Sequence, residues 1–231
     1  MRRFYKTVSV APDAPDFEIR LDDRPLRTPA KHPLRLPTPA LAEAVAAEWD
    51  RQGEKIVPAG MHLTQLVYTA RDRVAPDRTT VVGAAVSYGE TDLLCYRAEH
   101  PQSLVERQHQ VWQPLLDWCA VAHDAPLAVT KGIAPVAQPE ESIASLRRAV
   151  EAQDDLRLIA LQTATSLLGS LVLALALLDR RIGWEGAMAA SMLDEDFQIE
   201  RWGEDAEAVK RRAALREELA AIDDFIARLD I

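Results

Sequence analysis

The most chemically pointed feature of this 231-residue chain is a carboxylate set among apolar and indole groups. Over the segment from Trp184 to Trp202, a helix turning ~100° per residue places Trp184, Met188, Met192, Ile199 and Trp202 on one face, with Glu195 in its middle. Burying a carboxylate charged and alone costs several kcal/mol, so three arrangements stand open. Glu195 pairs with an Arg or Lys of its own chain, or it is held protonated as a catalytic acid. Alternatively it lies in a hydrated groove, with Trp184 and Trp202 as anchors, ready for a cation brought by a partner. A helix break near Asp194 would undo the shared face.

Trp49 raises a related question. It sits between Glu48 and Asp50 on a predicted helix, either as a plug in the core or as a binding residue. Glu90 and Asp92 form a close carboxylate pair, suited to acid–base work only if their surroundings separate their pKa values, and otherwise to a loop-and-cap role. Cys119 and His123, four apart, could present two metal ligands on one helix face, but zinc needs a further protein ligand and none stands at a recognised spacing. His32, His62, His100 and His109 are scattered, and nothing pairs any of them with a nucleophile. No glycine loop with a phosphate-cradling spacing, no Gly-x-Ser-x-Gly elbow and no His-Glu-x-x-His is present. The residues therefore imply no cofactor and no metal.

Composition narrows the class. With 27 Lys and Arg against 36 Asp and Glu, the formal charge is −9, which argues against nucleic acid as a partner. Two cysteines cannot make a disulfide framework, and the basic start Met1-Arg2-Arg3-Phe4-Tyr5-Lys6 lacks the apolar run of a signal peptide, so the expected location is cytoplasmic. The 21 uncharged residues between Arg157 and Asp179 are long enough to cross a bilayer. Gln162, Thr163, Thr165, Ser166, Gly169 and Ser170 interrupt their first half, so a buried central helix is expected instead.

The elements that must position these residues fall into two regions. Eight of the 14 prolines precede residue 60, favouring short strands. Phe4, Lys6, Val8 and Val10 alternate with their neighbours, as do Phe17, Ile19 and Leu21; Asp22-Asp23 breaks the run, Leu26 to Thr28 can return as a hairpin partner, and Leu34 and Leu36 suggest another strand. Thr38-Pro39 opens a helix carrying Leu41, Ala44, Val45, Glu48 and Trp49, with Gly53 as its expected stop. Beyond about residue 61 the pattern is mainly helical, with residues 79–88 ambiguous. Pro114 predicts a kink or restart inside the helix from Leu104 to Ala122, Pro139-Glu140-Glu141 opens another, and Asp154 or Asp155 caps the uncharged one. In that helix Thr163, Ser166, Ser170 and Ala174 form a stripe of small residues suited to close helix packing. Leu215, Leu219, Ile222, Ile226 and Leu229 form a heptad stripe on the last helix, for docking onto its own fold or for a partner. The expected class is α+β: a small β-rich N-terminal domain with one helix (1–58), then a larger all-helical C-terminal domain (59–231).

Five strings taken together resemble a known family. They are Ala47-Glu48-Trp49-Asp50-Arg51-Gln52, Tyr88-Gly89-Glu90-Thr91-Asp92-Leu93-Leu94-Cys95-Tyr96-Arg97, Gln113-Pro114-Leu115-Leu116-Asp117-Trp118, Gly169-Ser170-Leu171-Val172-Leu173-Ala174-Leu175-Ala176, and the run from Asp194 to Asp205. In this order, from Phe4 to about Arg216, they resemble the assembly chaperones for the α subunit of the F-type ATP synthase catalytic head, found in mitochondria and alphaproteobacteria. The resemblance implies a β-rich domain followed by a helical one, no enzymatic activity, and binding of the unassembled α subunit until the β subunit replaces it. It also implies a monomer. By position, Trp49 and Glu195 match the family's functional Trp and acidic residue, and Trp202, Gly203 and Asp205 match its Trp-Gly-x-Asp pattern. Asp23 stands where the family has the Gly of an Asp-Gly turn, His62 where it has Pro, and Phe197 where Trp is common. Partner-binding candidates are thus Glu195, Trp49, Trp202, Asp205 and Trp184. The competing readings are a small hydrolase using a carboxylate pair and an acidic scaffold that self-associates through its last helix.

Overall fold

The structure is a computed structural model that describes residues 1–203 and 205–230; Glu204 and Ile231 lie outside the described residues. The chain divides into two compact units, one formed by Met1–Arg78 with the C-terminal stretch from Ala221, the other by Thr79–Ala220. The last strand of the first unit ends at Leu36, and the unit itself continues to Arg78.

In the first unit, β1 (Val8–Asp13) and β2 (Asp16–Leu21) form an antiparallel hairpin, Val10 opposite Ile19. β3 (Arg24–Pro25) and β4 (Arg35–Leu36) both pair antiparallel with β2, which is therefore central. The period-2 pattern holds on β2, where Ile19 and Leu21 are buried and Arg20 is exposed. Asp22 takes the left-handed conformation at φ 55°, and its carboxylate accepts the Lys6 and Thr7 N–H groups at 3.0 Å each. Those bonds, the Thr7 amide's first, hold its carboxyl below the usual range. The turn thus works without the family's glycine at position 23. Helix α1 (Pro39–Asp50) starts where Thr38-Pro39 predicts, with the Thr38 hydroxyl accepting the Leu41 N–H at 3.2 Å. Leu41, Val45 and Trp49 turn inward with Ile19, Leu34 and Leu36 to make the core. After a turn of 3₁₀ helix at Pro58–Gly60 comes α2 (His62–Thr69), then a π-turn over Ala70–Val74.

The second unit is largely helical. It begins with α3 (Arg78–Glu90), which resolves the ambiguous stretch in favour of helix, and includes α4 (Gln102–Ala122). α4 runs through Pro114 without restarting as a separate element. Between them β5 (Tyr96–Arg97) pairs in parallel with β6 (Thr130–Lys131), a two-residue exception to the all-helical expectation. There follow α5 (Glu140–Glu151), α6 (Asp155–Leu168), α7 (Leu171–Leu178), α8 (Trp184–Ser191), α9 (Leu193–Trp202) and α10 (Ala206–Leu229), whose end from Ala221 is counted with the first unit.

The uncharged stretch is two helices, not one. Gly169, at φ 67°, ends α6 in the left-handed conformation, and the Ser170 hydroxyl accepts the Leu173 N–H at 3.0 Å to start α7. Among the described residues no helix is long and apolar enough to cross a membrane. The expected small-residue stripe fails with the same break, and Ser166 is exposed. All eight residues of α7 are buried against α4, α6 and α8. Gly89 lets α3 come close: a Cβ there would meet Leu146 Cδ1 at 3.0 Å and Leu171 Cδ2 at 3.5 Å. On α10, Leu219, Ile222, Phe225, Ile226 and Leu229 are buried and Leu215 is half-buried, so the heptad stripe docks onto its own fold.

Candidate functional site

The site candidates fall in separate units, Trp49 in the first and Glu195, Trp202, Asp205 and Trp184 in the second. Trp49 lies in the last turn of α1, 6% exposed. A helix end leaves carbonyls without intrahelical donors, and here three side chains supply them. The Gln52 amide donates to Glu48 O at 3.0 Å, the Tyr5 hydroxyl to Trp49 O at 2.7 Å, and Arg3 Nη1 to Asp50 O at 3.0 Å. The helix therefore ends at Asp50 through these contacts, ahead of the expected stop at Gly53. The Tyr5 ring stands 5.8 Å from the indole, yet Trp49 Nε1–H has no acceptor among the described residues. The indole also forms part of the wall of a largely apolar cavity of about 550 Å³ within the first unit.

Beside it, Glu48 is a residue whose role the sequence did not disclose. It is 4% exposed, and its carboxylate accepts the Leu63 N–H at 2.9 Å, the Thr64 N–H at 2.8 Å and the Thr64 hydroxyl at 2.6 Å. Those donors are the free N–H groups at the start of α2, where the helix dipole is positive. Glu48 thus caps a helix that begins fourteen residues later and fixes α1 against α2.

In the second unit α9 is clamped on two sides. Towards α4, Gln108 donates to Asp194 Oδ1 at 2.7 Å, and Arg107 grips Glu200 with both nitrogens at 2.7 and 2.9 Å. Arg107 also lies 5.3 Å above the Phe197 ring, which meets Arg201 at 4.2 Å. Phe197, buried between these cations, serves there without the N–H that a tryptophan would bring. Towards α10, Glu195 Oε2 pairs with Arg211 in a short contact, Glu195 Oε1 faces Arg212 Nη1 at 3.6 Å, and Arg212 Nη2 reaches Asp196 at 2.5 Å.

The connection between the helices explains that pairing. Trp202 ends α9, Gly203 turns the chain at φ 83°, a conformation a side chain would strain, and Asp205 Oδ1 accepts the Glu207 and Ala208 N–H groups at 2.8 Å each to start α10. Two turns into α10 the arginines come back opposite Glu195. Asp205 is thus a helix cap.

The continuous face from Trp184 to Trp202 does not form, because the chain breaks at Met192 between α8 and α9. Glu195, Ile199 and Trp202 still share a face of α9 at spacings of four and three. Trp184 opens α8, where Arg216 lies 5.4 Å over its ring. Of the three arrangements for Glu195, its own chain supplies the cations, as the first requires. The side chain is not sealed, however, being 26% exposed, and its partner Arg211 is 64% exposed. Trp202 on the same face is 77% exposed.

The carboxylate pair separates into unlike environments. Glu90 is exposed, whereas Asp92 is buried and accepts from the Leu94 N–H at 3.1 Å, the Ser170 hydroxyl at 2.7 Å and the Val172 N–H at 3.0 Å. Burial pushes its carboxyl up to about 6 despite those bonds. Both oxygens serve as caps, one of them at the start of α7. Cys119 is buried, and burial raises its thiol to about 12, while His123 turns to Asp179 at 3.1 Å and to the Trp118 ring.

Comparison with known proteins shows what the chain is similar to. The family described as "ATP12 chaperone protein" matches residues 2–120. The Schizosaccharomyces pombe protein named "Protein atp12, mitochondrial" is 25% identical over 222 residues, covering 90% of this chain and 76% of that protein. The crystal structure of Atp12 from Paracoccus denitrificans is similar at a TM-score of 0.94 and 42% identity, covering 99% of this chain and 98% of that one. The Atu1473 protein of Agrobacterium tumefaciens is similar at a TM-score of 0.93 and 42% identity, covering 99% of this chain and 86% of that one.

Proposed function

The chain belongs to the ATP12 chaperone family, and from that premise we infer that it is an assembly chaperone for the F-type ATP synthase catalytic head. It holds the unassembled α subunit until the β subunit replaces it, acting as a monomer in the bacterial cytoplasm and carrying out no chemistry on its client. A subunit of an obligate oligomer exposes a large apolar interface before assembly. Its chaperone must cover that surface and then yield it.

The observation that best supports this reading in the structure is the α9 face: an indole 77% exposed, two turns from a half-buried carboxylate whose guanidinium partner is itself mostly in solvent. Trp202 supplies the apolar anchor, and Glu195 supplies orientation. Arg211 acts as a placeholder. A basic residue of the client can displace it from Glu195 without leaving a charge unpaired, because Arg211 goes to water and Arg212 stays. Such an exchange gives little net affinity, which suits a partner that must let go. Trp49 and Trp184 are further client contacts in this reading, and Asp205 fixes the turn behind Trp202.

The test is light scattering by purified α subunit with the chain in stoichiometric amount. The intact chain should suppress aggregation. Trp202→Ala should suppress it poorly while melting at an unchanged temperature. Equal protection by that variant would place the client elsewhere.

A further inference from the structure

The cavity belongs to the first unit and the α9 face to the second, so the cavity calls for its own occupant. Its wall is built from Phe4, Pro25, Leu26, Trp49, Met61 and Tyr68, and at about 550 Å³ it lies within the ~300–1,000 Å³ of pockets that take ligands. The apolar surface does not stop at its wall. Phe4 is 64% exposed and Met1, which also lines it, is 74% exposed. A small molecule filling the cavity would leave these two uncovered, whereas a chain that enters and continues outward would cover them. Arg24 and Arg27 are exposed parts of the same lining, so the mouth is cationic in a chain whose formal charge is −9. Within the wall, the Trp49 indole N–H lacks an acceptor among the described residues. A buried donor left so is unfavourable, and an occupant carrying main-chain carbonyls can recover part of that loss.

We propose that this cavity is a peptide-binding site. It takes an extended client segment whose apolar side chains enter between Leu26, Trp49 and Met61 and whose neighbouring Asp or Glu meets Arg24 and Arg27. This rests on the chaperone reading and names the client chemistry for the N-terminal unit. The cationic mouth selects an acidic flank, which is the reverse of the selection made at Glu195. The two units therefore read client segments of opposite charge.

Overlapping synthetic peptides covering the α subunit, immobilised and probed with the full chain, test this. Apolar peptides flanked by Asp or Glu should bind. Arg24→Glu and Phe4→Asp, both at exposed positions and checked for unchanged melting, should weaken that binding about tenfold, and Arg24→Lys should keep it. Replacing the peptide's acidic residue by Lys should lose it. Equal binding by the charge-reversed variants or by the Lys peptides would overturn the proposal. So would a chain that associates with itself through this mouth in place of the peptides. If no peptide binds while the intact α subunit does, the cavity proposal fails and the chaperone reading stands. If the intact α subunit does not bind either, both fail.

Discussion

Replacing Glu195 separates a role in holding α10 from a role in holding a client. The carboxylate meets Arg211, 64% exposed, in a short contact and Arg212, 21% exposed, at 3.6 Å. Exposed ion pairs contribute about 0.2–1 kcal/mol, so Glu195→Gln should cost roughly 1 kcal/mol, mostly through the better-shielded Arg212. Glu195→Lys adds repulsion from both guanidinium groups. At ~4 Å and an effective dielectric of ~20 each such pair is worth ~4 kcal/mol before screening, and solvent at this surface reduces the total loss to about 3 kcal/mol. Urea titration measures these losses, and α-subunit aggregation measures function. The decisive variant is the charge swap Glu195→Arg with Arg211→Glu, which restores the ion pair with position 211 and should recover about half of the lost stability, since Arg212 still faces a cation at position 195. If the client's cation exchanges with Arg211, the swap should leave client protection lost, because the acid now sits on α10. A swap that restores protection along with stability would refute the exchange and leave Glu195 as a link between helices only.

Other side chains carry distinct expectations. Glu48→Gln removes an ionised acceptor of three donors and turns an NH₂ towards an N–H, so it should cost about 3 kcal/mol and lower Tm by roughly 6–12 °C by calorimetry; a shift under a degree would contradict its role as the cap of α2. Asp92 gives a pH signature. Unfolded it ionises near its ordinary 3.8 and folded near 6, so the native state keeps a proton that the unfolded state has lost. Its contribution is then full below about 3.8 and disappears as pH rises to about 6, in all about 3 kcal/mol. Urea melts across that window should show a fall in stability that is flatter in Asp92→Asn, and parallel profiles would disprove it.

Much of the architecture was readable because its signals are local. Thr38-Pro39, Asp154 before Leu156, and the alternation through Ile19 and Leu21 each act within a few residues, and each appears as expected. The break at Gly169-Ser170 was also written locally, as a left-handed stop followed by a hydroxyl cap, but the absence of charge over 21 residues hid it. Glu48 could not be read, because its donors belong to α2 and only the tertiary fold brings them near. Glu195 was legible as an anomaly but not in its surroundings. No Gly or Pro marks the break at Met192, and the arginines that meet it lie sixteen and seventeen residues on, beyond the turn at Gly203.

The most direct measurement mixes the purified chain with the α subunit, resolves the mixture by size-exclusion chromatography with light scattering, and then adds the β subunit. One copy of each partner should elute together, and addition of β should return the chain to its free position while α moves to a complex with β. A chain that never comigrates with α, or that stays bound once β has joined, would contradict a role as its temporary holder.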